Sequence, residues 1–169
     1  MTQNEFLKTI NPFQDKLFRL AKRLLVSVEE AEDATQEIIV KLWNKNGTII
    51  ALDNVEAYAM TLTKNYCLDV LKSKRATNLK IVHTNYTDTG FSLQQKIEDS
   101  DSLNFVEKWI SELPEQQKLI IQMRDVEQYE FEEIAKILEM NEPAVRVALC
   151  RARKVLKEKM NNTHQYGIR

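Results

Sequence analysis

The stretch FEEIAKILEMNEPAVRVALCRARKVL, residues 131–156, decides the fold of the chain around it. Its first part places apolar residues at helical spacing, namely Phe131, Ile134, Ala135 and Leu138. The pattern breaks at residues 139–141, where Asn141 suits the N-cap of a second helix and Pro143 its first turn. Apolar residues then return on one face, at Val145, Ala148, Leu149, Ala152 and Leu156. Two short helices and a tight turn predict a helix-turn-helix.

The opposite face of the second helix is almost entirely basic or small. It carries Arg146, Val147, Cys150, Arg151, Lys154 and Lys157. A helix in the DNA major groove needs cations for phosphates and outward side chains for base edges, and arginine is the best reader of guanine. The face therefore favours DNA binding, although the solvated side of a bundle helix would look similar.

The net charge of −1 hides a strong separation of charge along the chain. Residues 104–140 contain four Lys/Arg and nine Asp/Glu, whereas residues 141–169 contain seven and two. The two segments therefore carry −5 and +5. We expect the acidic segment to stay away from DNA or to meet a different, basic partner.

The composition predicts an almost entirely helical protein, with only three glycines in 169 residues. No run approaches the roughly 18 apolar residues of a membrane span, and the polar start MTQNEF lacks a signal-peptide core. We therefore expect a cytoplasmic protein without direct membrane insertion. Cys67 and Cys150 lie far apart, which argues against a disulfide or a zinc site. Without a phosphate-binding glycine loop, the sequence predicts no enzyme, no catalytic residue, no metal and no cofactor.

Three helices are predicted before residue 76. The first follows a break at Asn11-Pro12 and buries Phe13, Leu17, Leu20, Ala21 and Leu24. The second starts at an N-cap on Ser27 and buries Ala31, Ala34, Ile38 and Leu42. This second helix presents another, largely acidic face with Asp33, Gln36, Glu37 and Val40, and Trp43 lies near its end. Such a face is usually a solvated one.

The third helix is predicted from Val55 to Lys74, with a core face of Ala59, Leu62, Tyr66 and Val70. Another stripe is polar and basic, with Thr61, Lys64, Asn65, Leu68 and Lys72, followed by Lys74 and Arg75 and preceded by Tyr58. Cations that follow phosphates and an aromatic ring that stacks on a base are typical of single-stranded nucleic-acid binding. A plain surface face would also explain the stripe.

The helical period is lost between about residues 76 and 103, which predicts a long linker. We therefore predict an all-α protein of two small helical domains, 1–76 and 104–169, joined by a flexible linker at 77–103. The C-terminal domain contains the helix-turn-helix, and Pro114 opens the helix that precedes it.

Four blocks of the sequence together resemble a known family. They are AEDATQEIIVKLW at 31–43, AYAMTLTKNYCLDVLKSKR at 57–75, LPEQQKLIIQMRDVEQYEFEEIA at 113–135 and VRVALCRAR at 145–153. In this order they resemble bacterial RNA polymerase sigma factors of the sigma-70 family. The absence of a region 3 between the second and third blocks is typical of the small extracytoplasmic-function (ECF) group.

The resemblance implies binding rather than catalysis. It implies that Asp33, Gln36, Glu37 and Trp43 contact the β′ clamp of core RNA polymerase. It also implies that the melted minus-10 element is bound by Tyr58, Thr61, Lys64, Asn65, Lys72 and Arg75. The minus-35 duplex would be read by Arg146, Val147, Cys150, Arg151 and Lys154, in a domain that also meets the β-flap. The implied partners are thus core polymerase, promoter DNA and an anti-sigma factor, which is commonly membrane-bound.

Some positions depart from the family pattern. Pro143 and Ala144 replace a frequent glycine and threonine, and Ala148 replaces a frequent basic residue. Two other classes also fit the residues. One is a two-domain helix-turn-helix regulator that binds palindromic operators as a dimer. The other is a protein-interaction adaptor whose basic stripes are only solvated.

Overall fold

The computed structural model describes residues 1–84 and 102–165, and within these ranges it contains helices and no strand. The N-terminal half comprises α1 (Gln3–Leu25), α2 (Val28–Asn44), α3 (Asn46–Ile49) and α4 (Val55–Thr84). The C-terminal half comprises α5 (Ser102–Ser111), α6 (Glu115–Ile121), a π-helical turn (Gln122–Val126), α7 (Phe131–Leu138) and α8 (Glu142–Gln165). The predicted all-α class with two helical regions is confirmed.

Helix α1 begins ten residues earlier than the sequence pattern predicts. A capping box formed by Thr2 and Glu5 starts it, and the helix passes through Pro12, so the predicted break at that proline is wrong. Proline has no backbone N–H, so the Lys8 carbonyl loses its hydrogen-bond partner within the helix. Both Lys8 and Pro12 are exposed, so water can bond to that carbonyl instead. Phe6 is buried in the core, so the early turns are stabilised by packing.

The core of the N-terminal half lies between α1, α2 and α4. Its most buried apolar side chains include Leu17, Leu20, Ala34, Ile38, Leu42 and Met60. Ser27 caps α2 as predicted, with its hydroxyl accepting a hydrogen bond from the Glu30 amide at 3.4 Å. The apolar faces predicted for α1 from Phe13 onward and for α2 are therefore confirmed.

The predicted core face of α4 is partly wrong. Ala59 is buried, but Leu62, Tyr66 and Val70 are only half-buried. The fully covered side chains are Ala59, Met60, Thr63, Lys64 and Cys67. Helix α4 is covered on more than one side, because α1 and α2 pack against it and so does α7 of the C-terminal half. A single amphipathic stripe does not describe a helix in that position.

Helix α4 also continues to Thr84, ten residues beyond its predicted end at Lys74. The first eight residues of the predicted linker, 77–84, are therefore helical. Residues 85–101, which make up most of that linker, lie outside the described residues.

The C-terminal half is built on a core of Ile120, Met123, Ile134, Ile137, Val145, Leu149 and Ala152. Between α6 and α7 the backbone widens into the π-helical turn, in which the Glu127 amide donates to the Gln122 carbonyl at 3.0 Å. The Tyr129 amide then donates to the Met123 carbonyl at 2.9 Å. The extra residue in the turn sets the direction of the side chains that follow it.

The two halves pack against each other, with α1 next to α6 and α4 next to α7. No helix in the described ranges is both long enough and apolar enough to span a membrane.

Candidate nucleic-acid interface

The helix-turn-helix is formed by α7, a left-handed residue and α8. Glu139 ends α7 with φ 55° and ψ 44°, a conformation that glycine or asparagine adopts more readily. Asn141 then caps α8, because its side-chain oxygen accepts a hydrogen bond from the Ala144 amide at 2.8 Å. The predicted motif and its predicted cap are both confirmed.

The two faces of α8 are divided as the sequence predicts. Val145, Ala148, Leu149 and Ala152 are buried against α6 and α7, whereas Leu156, the last residue of the predicted apolar face, is half-buried. The predicted minus-35 residues are all exposed, namely Arg146, Val147, Cys150, Arg151 and Lys154. Val147 lies among these cations and is 49% exposed. An exposed apolar side chain in this position suits contact with a thymine methyl group.

Arg146 is held in place by its neighbours. Its guanidinium carbon lies 3.9 Å from the centroid of the Phe131 ring, and one of its nitrogens lies 3.8 Å from the Glu142 carboxylate. Arg124 approaches the same ring at 4.5 Å and also donates to the Tyr129 carbonyl at 2.7 Å. A ring that stacks on a guanidinium limits its motion, which prepares it to meet a planar hydrogen-bonding edge.

Sequence reasoning did not assign Phe131 or Arg124 to this surface. Phe131 belongs to the apolar stripe of α7, and Arg124 lies in the π-helical turn. Neither residue could therefore be found from the spacing of residues along α8. Arg153, by contrast, is tied to Asp125, whose carboxylate raises the pKa of the guanidinium. Within the described part of the chain, Arg151 and Lys154 form no ion pair.

The acidic face of α2 is exposed along its length. Asp33, Gln36 and Glu37 all point to solvent, and Glu37 pairs with Lys41 at 3.4 Å. Trp43 is 37% exposed and meets Phe6 edge to face, with ring centroids 5.0 Å apart. The four predicted polymerase contacts therefore lie on one helix, with a fixed aromatic ring at its end.

The start of α4 holds two of the predicted minus-10 residues. Tyr58 is half-buried, and its hydroxyl accepts a hydrogen bond from the Lys45 ammonium at 3.4 Å. The Thr61 hydroxyl donates back to the Ala57 carbonyl at 2.9 Å. Lys45 was not singled out by the sequence, because it lies in the irregular chain between α2 and α3.

The remaining predicted minus-10 residues on α4 divide into two groups. Asn65 and Lys72 are exposed. Lys64 is only 6% exposed, and its ammonium donates to the Ile137 carbonyl in α7 at 2.8 Å, while burial lowers its pKa. Arg75 pairs with Glu115 at the start of α6. The stripe is thus not a continuous open surface in this conformation.

Comparisons with known proteins agree with this geometry. The family Sigma-70 region 2 matches residues 9–77, and the family Sigma-70, region 4 matches residues 106–156. The ECF RNA polymerase sigma factor SigW of Bacillus subtilis (strain 168) is 19% identical over 170 residues, which cover 95% of this chain and 91% of that protein.

Two solved structures share the fold. The sigma factor RpoE of Bartonella quintana, in complex with the anti-sigma factor NepR, superposes with a TM-score of 0.75 at 20% identity, over 93% of this chain and 97% of that one. CnrH, in complex with the cytosolic domain of CnrY, superposes with a TM-score of 0.69 at 17% identity, over 95% of this chain and 90% of that one.

The fold and its surfaces define a two-part helical DNA-binding protein whose helix-turn-helix follows a separate helical bundle. The chain belongs to the sigma-70 family of RNA polymerase sigma factors, in the ECF group, with region 2 in its N-terminal half and region 4 in its C-terminal half. It acts as a sigma factor in transcription initiation.

Proposed function

We propose that this sigma factor selects promoters through three surfaces: the acidic face of α2, the polar stripe of α4 and the basic face of α8. The observation that supports it best is the exposed face of α8, where cations surround Val147 on the second helix of a helix-turn-helix. The surfaces lie on different helices, so each can be removed without the others.

The face of α8 enters the major groove at the minus-35 element. Arg146 and Arg151 read base edges, and a good bidentate arginine–guanine pair contributes roughly 1–3 kcal/mol of discrimination. Lys154 contacts phosphate, and Val147 and Cys150 meet the floor of the groove. Because Arg146 is stacked on Phe131, it loses little conformational freedom when it binds.

The stripe of α4 holds the unpaired strand at the minus-10 element. Unstacking a base costs a few kcal/mol, and stacking on an aromatic ring returns roughly 1–3 kcal/mol per base. Tyr58 supplies the ring, whereas Thr61, Lys64, Asn65, Lys72 and Arg75 supply polar and cationic contacts. Melting by this route requires no nucleotide hydrolysis, and the protein acts without catalytic residues or a cofactor.

The face of α2 docks on the β′ clamp of core polymerase through Asp33, Gln36, Glu37 and Trp43. Carboxylates suit a basic partner, and an exposed tryptophan is a common anchor of protein interfaces. Region 4 also meets the β-flap. The protein works in the cytoplasm, where core polymerase and DNA are found.

An anti-sigma factor is a further proposed partner, and the family resemblance favours a membrane-bound one. The proposal is supported by the two structural neighbours, one of which is bound to the anti-sigma factor NepR and the other to the cytosolic domain of CnrY. Purification of the protein from its native host would recover such a partner.

Run-off transcription from genomic fragments, with core polymerase at stated salt, tests the three-surface proposal. We expect discrete transcripts that disappear when Asp33, Gln36 and Glu37 are replaced by alanine. Replacement of Gln14, Asp15 and Asp53 by alanine, which removes one exposed amide and two exposed carboxylates outside α2, is the matched control and should leave the transcripts unchanged. Equal transcription by both variants would exclude α2 as the docking face.

A further inference from the structure

The acidic face of α2 ends in two exposed apolar side chains. Val40 is 53% exposed and Trp43 is 37% exposed, and the two stand three residues apart, which makes them neighbours on the helix surface. The other proposed polymerase contacts on this face, Asp33, Gln36 and Glu37, are polar. Because tryptophan is among the side chains that contribute most to binding at protein interfaces, we expect Trp43 to be the main anchor of the face.

Trp43 lies where its own helix gives it little support. Helix α2 ends at Asn44, and the last carbonyls of a helix lack intrahelical partners. The Lys45 amide donates to the carbonyls of Leu42 and Trp43. Terminal turns open more readily than helix interiors, and an exposed side chain there changes rotamer unless another part of the chain holds it.

Phe6, in the first turns of α1, makes a contact that can hold the Trp43 ring. The two ring centroids lie 5.0 Å apart with an angle of 73° between the ring planes, which is the favoured edge-to-face geometry of an aromatic pair. Phe6 is only 4% exposed, so its own position is fixed by the core. A partly exposed ring at the end of one helix is thus packed on a buried ring from another.

The start of α1 keeps Phe6 in place. The Thr2 amide donates to the Glu5 carboxylate at 2.7 Å, and the Glu5 amide donates to the Thr2 hydroxyl at 3.3 Å. The Thr9 hydroxyl adds a hydrogen bond to the Glu5 carbonyl at 2.9 Å. A capping box of this kind stabilises the first turn of a helix. Phe6 therefore acts from a stable turn, which precedes the region 2 match at residues 9–77.

We infer that the first turn of α1 orients Trp43 for docking on core polymerase, with Phe6 as the positioning residue. The inference rests on the function proposed for α2. A tryptophan that is already held in one orientation loses less conformational freedom when the polymerase binds, so the affinity is higher. Phe6 is buried and acts only through the Trp43 ring.

The test compares two matched substitutions in the full chain, Phe6→Leu and Phe13→Leu. Both phenylalanines lie in α1 and both are 4% exposed, so leucine should cost the core a similar amount at either position. In the described part of the chain, only Phe6 forms an aromatic pair with Trp43. Thermal unfolding checks that both variants fold, and Phe6→Met, which fills the space with a flexible apolar chain, serves if leucine is not tolerated.

The first measurement follows the Trp43 ring in the free protein. The chain has two tryptophans, so Trp109→Phe in every variant leaves Trp43 as the only one. Time-resolved fluorescence anisotropy then reports how freely the ring moves. We expect the fast local motion to increase in Phe6→Leu and to stay unchanged in Phe13→Leu, a difference that a general loss of stability would not produce.

The second measurement is the affinity for core polymerase, from competition of each variant with labelled wild-type protein. Phe6→Leu should weaken binding about three- to ten-fold, which is the cost of immobilising one side chain on association. Phe13→Leu should leave the affinity nearly unchanged. Phe6→Leu combined with Trp43→Ala should bind no more weakly than Trp43→Ala alone. Unchanged affinity in Phe6→Leu, or an equal loss in Phe13→Leu, would overturn the inference.

Trp43→Ala separates failure of the positioning from failure of the proposed docking face. If Trp43→Ala weakens polymerase binding and Phe6→Leu does not, only the positioning is wrong. If Trp43→Ala has no effect while alanine at Asp33, Gln36 and Glu37 weakens binding, the inference fails and the polar part of the docking face stands. If none of these substitutions weakens binding, the proposed role of α2 is wrong and the inference falls with it.

Discussion

The two proposed nucleic-acid surfaces of this sigma factor are built in opposite ways. The surface on α8 has one buried side and one open side, and its cations are exposed. The surface on α4 belongs to a helix that is packed from several directions, and part of its cationic stripe bonds to the other half of the chain. The surface proposed to read duplex DNA is thus fully exposed in the free protein, whereas the surface proposed to bind the melted strand is only partly accessible.

The largest expected effect comes from the removal of the open surface. Arg146→Ala with Arg151→Ala should weaken binding of the holoenzyme to promoter duplex by about 100-fold or more, since each lost bidentate contact costs roughly 1–3 kcal/mol. Gel-shift titration at fixed salt measures the affinity of the holoenzyme for the promoter duplex. Lys136→Ala with Lys157→Ala, which removes two exposed cations outside the proposed minus-35 contacts, is the control and should cost much less. Equal losses would mean that charge alone, without base reading, determines binding.

Substitutions in the partly covered surface on α4 should affect DNA melting more than duplex binding. Asn65→Ala with Lys72→Ala should leave duplex binding nearly intact but lower open-complex formation on linear DNA, because fewer groups capture the melted strand. We expect a loss of about 30-fold, because two polar contacts of roughly 1 kcal/mol each are removed. Permanganate footprinting measures melting. A template with a pre-melted minus-10 bubble should restore much of the activity, and a persistent defect there would contradict the assignment.

The two cysteines show the same contrast between a covered position in α4 and an exposed one in α8, and it should affect the free energy of unfolding. Burial raises the pKa of Cys67, in α4, from 9.0 to about 12, whereas Cys150, in α8, is exposed. The unfolded chain loses the Cys67 proton near pH 9 and the folded chain only near 12, so the free energy of unfolding falls as pH rises through this range. By pH 10 the loss is about 1 kcal/mol. Urea unfolding between pH 8 and 10 should show a shallower decline in Cys67→Ala than in wild type, and no such change in Cys150→Ala.

The smallest expected effect concerns the support beneath Arg146. Phe131→Leu keeps an apolar side chain in α7 but removes the ring that stacks on the guanidinium. A cation–π contact at an exposed site contributes roughly 0.5–1 kcal/mol, so minus-35 binding should weaken about two- to five-fold. When Phe131→Leu is combined with Arg146→Ala, minus-35 binding should be no weaker than with Arg146→Ala alone. Full additivity of the two would show that Phe131 acts on folding and not on Arg146.

The sequence predicted best the parts whose environment is local. The helix-turn-helix, the Asn141 cap and the open face of α8 follow from periodicity and capping within about 25 residues. The core face of α4 and the burial of Lys64 could not be predicted, because α7, about 70 residues further on, covers them. The helix through Pro12 also depends on tertiary packing, since Phe6 is buried in a core that the local pattern does not reveal.

The π-helical turn at Gln122–Val126 has a genetic consequence. It contains one residue more than an α-helical turn, and the side chains that diverge from it, Arg124, Asp125 and Glu127, reach Phe131, Arg153 and Arg19. Deletion of a single codon there would close the widened turn into α-helical geometry and draw the following chain back by one residue, so these side chains would no longer meet the same partners. The length of the turn is therefore expected to matter separately from its side chains, of which the buried Gln122 and Met123 should tolerate substitution least.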